Sequence, residues 1–172
     1  MTVNLIKANG RLRKVEVENA QMIWTNFSGR EGRYNPAGRR NFNIVLNAED
    51  AEQLKQAGFN VKYHEPREEG VDPIYTLKIN VNFGSYNPPE VYMKNSHGNV
   101  LLDENGVSIL DGADILETWL CFNPHVYEDS VTAYLNKLLV TVRESDYESK
   151  FFDTPDSAMN TTTFNVVPSL ED

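Results

Sequence analysis

The chain has 172 residues, 40% of them hydrophobic and 24% charged, which suffices for one sizeable core and leaves a second independent domain cramped. Its single cysteine, Cys121, has no partner within the chain, excluding a disulfide framework or a cysteine metal site, and no apolar run nears the roughly 20 residues that span a bilayer. The formal net charge of −9 argues against a polyanionic ligand, yet residues 1–40 carry 8 basic and 3 acidic groups (+5) while residues 41–172 carry 8 basic and 22 acidic (−14).

Apolar residues recur mostly with period two, the mark of half-buried strands. Strands are expected at 13–18 and 21–27, before a glycine- and arginine-rich segment at 28–40. In 41–47, Phe42, Ile44 and Leu46 share one face, opposite Asn41, Asn43 and Asn47. Asn47 then caps a short helix over AEDAEQLKQA, with Asp50 near its free amides and Gly58 as the stop. A strand at 60–64 precedes the longest alternation, 74–83, which turns Tyr75, Leu77, Ile79, Val81 and Phe83 one way and Thr76, Lys78, Asn80 and Asn82 the other.

Further strands fall at 90–94, 115–123 and 133–143, the last open to a helical start around Ser130–Leu135. LLDENGVSILDGADILE reads as a turn, a short helical turn and a strand start. Turn signals at 66–72, 87–89, 96–98 and 105–106 separate the runs as in a meander or barrel. From Glu144 the pattern decays into an acidic, mobile tail, dividing the chain into a domain at 1–145 and a tail at 146–172. The expected fold class is mainly β with one short helix.

SGREGRYNPAGRR, residues 28–40, cannot form a packed core, because three glycines, a proline and four arginines crowd between two strand patterns. It reads as an exposed, adaptable loop. Arg30, Arg33, Arg39 and Arg40 suit phosphates, and Tyr34 offers a ring on which a base can stack, the combination that single-strand binders use. Lys78, on the polar face of 74–83, could extend the same surface with Asn80 and Asn82, as could Lys62, Arg67 and Lys94. Trp24 and Tyr86 are the further stacking candidates, ahead of Phe27, Tyr63 and Tyr92, which suit a core.

Catalytic readings are weak. His64, His97 and His125 lack the i, i+4 spacing of a zinc site and read as incidental. Asp103, Glu104, Asp111, Asp114 and Glu117 are the carboxylates to weigh for a two-metal nuclease, and Glu148-Ser149-Lys150 has the Glu-x-Lys form of some nucleases. Neither sits in a convincing site context, so no catalytic residue, metal or other cofactor is assigned.

FSGREGRYNPAGRRNF (27–42), a short helix, GFNVKYHEPREEG (58–70), a long alternating strand, PPEVYM (88–93) and LLDENGVSILDGADI (101–115) together resemble a family of phage single-stranded DNA-binding proteins over residues 20–150. The resemblance implies an OB-like β-barrel, DNA on an exposed strand face and its loops, and a role in phage replication or recombination. It places Arg30, Arg33, Tyr34, Arg39 and Arg40 toward DNA. It also implies residence in the cytoplasm of an infected or lysogenic bacterial host, with replication or recombination proteins reached through the acidic tail. The tail departs from the better-known pattern by ending Pro168-Ser169-Leu170-Glu171-Asp172, with Phe164 inside it. Pairing into a homodimer would leave no local signature. The alternatives are an acidic protein-binding module, such as a host-defence inhibitor mimicking DNA, and the metal-dependent nuclease.

Overall fold

The structure is a computed structural model that describes residues 1–143. The expected domain boundary and the acidic tail therefore lie outside the described residues. The chain opens as a hairpin of β1 (Thr2–Ala8) and β2 (Arg11–Glu18). Asn9 and Gly10 both take positive φ at its turn, the backbone that a tight hairpin with right-handed twist requires. β1 is not evident from the sequence: among the described residues it pairs only with β2, and its apolar residues Val3, Leu5 and Ile6 are only partly buried.

β2 continues almost directly into β3 (Gln21–Asn26), but the two take different neighbours. β3 pairs with β4 (Arg40–Leu46), which pairs antiparallel with β6 (Ile74–Val81). β6 runs parallel to β10 (Ser130–Val142) at Ala133↔Ile79 and Tyr134↔Asn80. β10 pairs antiparallel with β9 (Ile115–Tyr127), and β9 returns to β2. The Ala20 N–H, between β2 and β3, donates to the Thr118 carbonyl at 3.1 Å. Taking β2 and β3 as two halves of one bent strand, the circuit is β2/β3, β4, β6, β10, β9 and back, the five-strand closure of an OB barrel.

The expected alternation fills this barrel. Phe42 and Ile44 from β4, Ile79 from β6, Leu120 and Phe122 from β9, and Leu138 and Val140 from β10 are all fully buried. Phe27 stacks on Phe42 with centroids 5.4 Å apart. Cys121 is buried too, and that burial raises its thiol pKa above the ordinary value. Helix α1 (Ala48–Gln56) joins the core through Ala51 and Leu54. The Asn47 carboxamide accepts from the Asp50 amide at 2.7 Å, as its capping position predicts.

Beyond α1, β5 (Lys62–His64) pairs with the start of β6. β7 (Glu90–Asn95) adds to β10 in parallel and turns back as β8 (Gly98–Leu102), a second strand not expected from the sequence. A 3₁₀ turn at Gly106–Asp111 stands where a short helical turn is expected. The helical start considered for Ser130–Leu135 is strand throughout.

Candidate nucleic-acid interface

The segment between β3 and β4 is a tied structure rather than an adaptable loop. At its base the two oxygens of the Asp111 carboxylate accept the Phe27 and Ser28 backbone amides at 2.8 and 2.9 Å. The Asn26 carboxamide accepts from the Arg30 amide and donates to the Arg30 carbonyl. Asn35 donates to the carbonyls of Arg30, Pro36 and Arg39, and its own oxygen accepts from Asn41 at 2.8 Å. Gly32 and Asn35 exchange backbone hydrogen bonds, which puts Arg33 and Tyr34 at the tip. There the Tyr34 ring is 84% exposed and the Arg33 guanidinium lies 5.4 Å from its centroid.

Beside this tip a groove of about 610 Å³ runs over the outer face of β4 and β6. Tyr34 and Trp24 line it as aromatic residues, and Lys62 and Lys78 as cations. Asn41, Asn43 and Asn80 add neutral amides, and among the described residues no carboxylate lines it. In a chain of net charge −9, that is a locally cationic cleft, within which exposed acids farther than roughly 8 Å are largely screened at physiological salt.

Trp24 reaches the groove by an unusual backbone. Residues 24 and 25 form a bulge in β3, where the pairing with β4 jumps from Ile23↔Asn43 to Asn26↔Asn41. Trp24 takes φ +51° there, a left-handed conformation that favours glycine and is uncommon for a bulky residue. The ring nevertheless stays 56% exposed. Strain at an exposed aromatic is the kind of outlier that accompanies binding sites.

The sequence candidates thus separate. Trp24, Tyr34, Lys78 and Lys62 come together on the groove. Arg30, Arg33 and Arg39 are exposed on the adjoining loop. Arg40 is committed elsewhere: its side chain is 17% exposed and donates to Glu104 at 3.1 Å. Tyr86, 98% exposed, lies between β6 and β7 and does not line the groove. Phe27 is core, and the Tyr92 hydroxyl donates to Glu90 at 2.6 Å, a bond that with burial and the carboxylate charge pushes its pKa up to about 12.

His64, read as incidental, in fact lines the groove. Nothing in its sequence spacing could reveal this, because the contact depends on β5 folding back onto β6. The acids weighed for metal chemistry disperse: Asp111 holds the loop base, Asp103 accepts the Gly106 amide, Glu104 pairs with Arg40 and Asp114 with Arg143. Among the described residues no group of three His, Cys, Asp or Glu side chains stands close enough to hold a metal ion. The Glu148-Ser149-Lys150 triplet lies outside the described residues.

An OB barrel with a groove over its second and third strands, flanked by the loop joining the first and second, has the layout in which this class of fold binds oligonucleotides. The family comparison agrees: the chain belongs to the family of phage ssDNA-binding domains, whose model matches residues 6–171. Among solved structures it is similar to the single-stranded DNA-binding protein of bacteriophage Enc34 in complex with ssDNA, with TM-score 0.50 and 9% identity over 81% of this chain and 94% of that one. Another structure of the same phage protein gives TM-score 0.48 and 8% identity over 84% and 92%. At 9% identity the first of these likenesses speaks for the fold alone. No curated protein matches the sequence.

Proposed function

We propose that this chain binds single-stranded DNA in the groove over β4 and β6, with little dependence on sequence and without catalysis. The observation that carries the reading is the exposed Trp24 side chain, held on strained backbone in a cleft that, among the described residues, contains lysines and no carboxylate. Trp24 and Tyr34 stack on bases, Lys62, Lys78 and Arg33 meet phosphates, and Arg30 and Arg39 extend the contact along the loop. Arg40 braces the loop instead. Stacking requires free base faces, which a duplex hides inside its own stack, so the groove favours single strands.

Family membership and the Enc34 complex support this choice of ligand. The biological setting follows from the same reading: phage replication or recombination, in the cytoplasm of an infected or lysogenic bacterial host, with partner proteins reached through the acidic tail. The direct test is anisotropy of a labelled oligonucleotide at low salt, against a duplex of the same length. Trp24→Ala and Tyr34→Ala should each weaken single-strand binding about 5- to 150-fold, the equivalent of one lost base stack. Absence of binding at low salt, or equal affinity for duplex, would overturn the reading.

A further inference from the structure

The indole of Trp24 is not left to rotate over the groove. His64 meets it at 5.1 Å between centroids with the rings 74° apart, an edge contact. The His64 Nε2 in turn lies 2.9 Å from the Thr76 hydroxyl oxygen, a hydrogen bond at an almost fully buried residue. The two rings belong to strands that do not pair: β3 lies beyond β4, β5 pairs with β6, and β4 and β6 separate them in the sheet. The contact therefore crosses the face that floors the groove.

From this geometry we propose that His64 and Thr76 are positioning residues for Trp24, fixing in advance the ring on which a base stacks. The inference rests on the reading of the groove as a single-strand site. Three observations converge on it. Trp24 sits on backbone that costs energy, so its placement is not the chain's local preference. The pair lies on the outer face, with Trp24 56% exposed and His64 partly buried, so the contact belongs to the groove lining and not to the barrel core. A centroid distance of 5.1 Å also leaves no room for a base between the rings, so His64 closes the side of the indole that it touches and a base must approach from another. Thr76 anchors the imidazole from the barrel wall, which makes the support rigid. A side chain ordered before binding spares the entropy of ordering it on the ligand.

The test uses the full chain, with a labelled oligo-dT as probe and thermal melting as the control for folding. His64→Ala and Thr76→Val should each weaken binding about three- to tenfold, while Thr76→Ser, which keeps the hydroxyl, restores it. In a Trp24→Ala background, His64→Ala should add nothing, because the imidazole acts only through the indole. A Trp119→Phe parent isolates Trp24 emission, since the chain has two tryptophans. In that parent, His64→Ala should add a fast component to the fluorescence anisotropy decay. Equal losses from His64→Ala with and without Trp24 would overturn the proposal, as would unchanged binding in Thr76→Val. If the wild-type chain fails to bind oligo-dT at all, the groove reading itself falls. Should His64→Ala fail to fold, the Thr76→Val and Thr76→Ser pair decides alone.

Discussion

Trp24 and Asp111 show how far a single position can be understood from its surroundings. At Trp24 the backbone favours glycine while the groove favours a ring, so Trp24→Gly separates the two. Glycine relieves the left-handed strain, worth about 1–2 kcal/mol, and costs about 0.5–1 kcal/mol in unfolded-state entropy. Because both variants lose the same indole contacts, Trp24→Gly should unfold in a urea titration at a stability equal to that of Trp24→Ala or up to about 1.5 kcal/mol above it, while the two share the same fall in single-strand affinity. Asp111 shows the reverse balance. Its carboxylate accepts two backbone amides at the loop base, and hydrogen bonds to a charged group contribute about 1.5–3 kcal/mol each. Asp111→Ala should lower unfolding stability by roughly 3–6 kcal/mol, with Asp111→Asn, which keeps one acceptor oxygen, falling in between. These roles differ in how legible they are. The sequence singles out Tyr34, Trp24 and Tyr86 as ring candidates, of which Tyr86 does not line the groove, but the positive φ of Trp24, the Asp111 bonds and the His64 contact arise from pairings of residues distant in sequence. Arg40 illustrates the opposite error: a loop arginine looks free until a partner 64 residues away, Glu104, is folded against it.

Secondary-structure elements were readable in proportion to how completely they bury one face. β4 and β6 alternate because one side meets the barrel interior, so Phe42, Ile44, Leu77 and Ile79 declare them from sequence. β1 buries its apolar residues only partly, β8 fully buries Leu102 alone, and among the described residues each depends on one neighbouring strand for hydrogen bonds, so their alternation is too weak to read. The segment between β3 and β4 was recognisable as a loop, whereas the hydrogen bonds that tie it together were hidden in the side chains of Asn26, Asn35 and Asn41. The end of α1 is legible and also testable. Gly58 takes φ +101°, and an added Cβ would lie 2.8 Å from the Val131 side chain, on the strand that leads into the groove. Gly58→Ala therefore combines left-handed strain with a clash and should destabilise the chain by about 2–3 kcal/mol. Gly112, with no positive φ and no atom within 4 Å of an added Cβ, supplies the control: Gly112→Ala should leave the melting temperature almost unchanged.

For the molecule as a whole, the question is how an acidic protein holds a polyanion, and the arrangement of charge answers it in a form that salt can measure. The cleft offers Lys62 and Lys78, with Arg33 at the neighbouring loop tip, and among the described residues no carboxylate lines it. Each phosphate neutralised on a single strand contributes about −0.7 to the slope of log affinity against log salt. Three cations therefore predict a slope near −2, and engagement of Arg30 and Arg39 as well would steepen it to about −3.5. The remainder of the affinity must come from stacking, which depends little on salt. Lys62→Ala and Lys78→Ala should thus each make the slope shallower by about 0.7, whereas Trp24→Ala should lower affinity at every salt concentration and leave the slope in place. Arg40→Ala should leave the slope unchanged as well, because its guanidinium already faces Glu104. A slope that moved with Arg40 and not with Lys78 would place the strand along the loop base instead of the β4–β6 face.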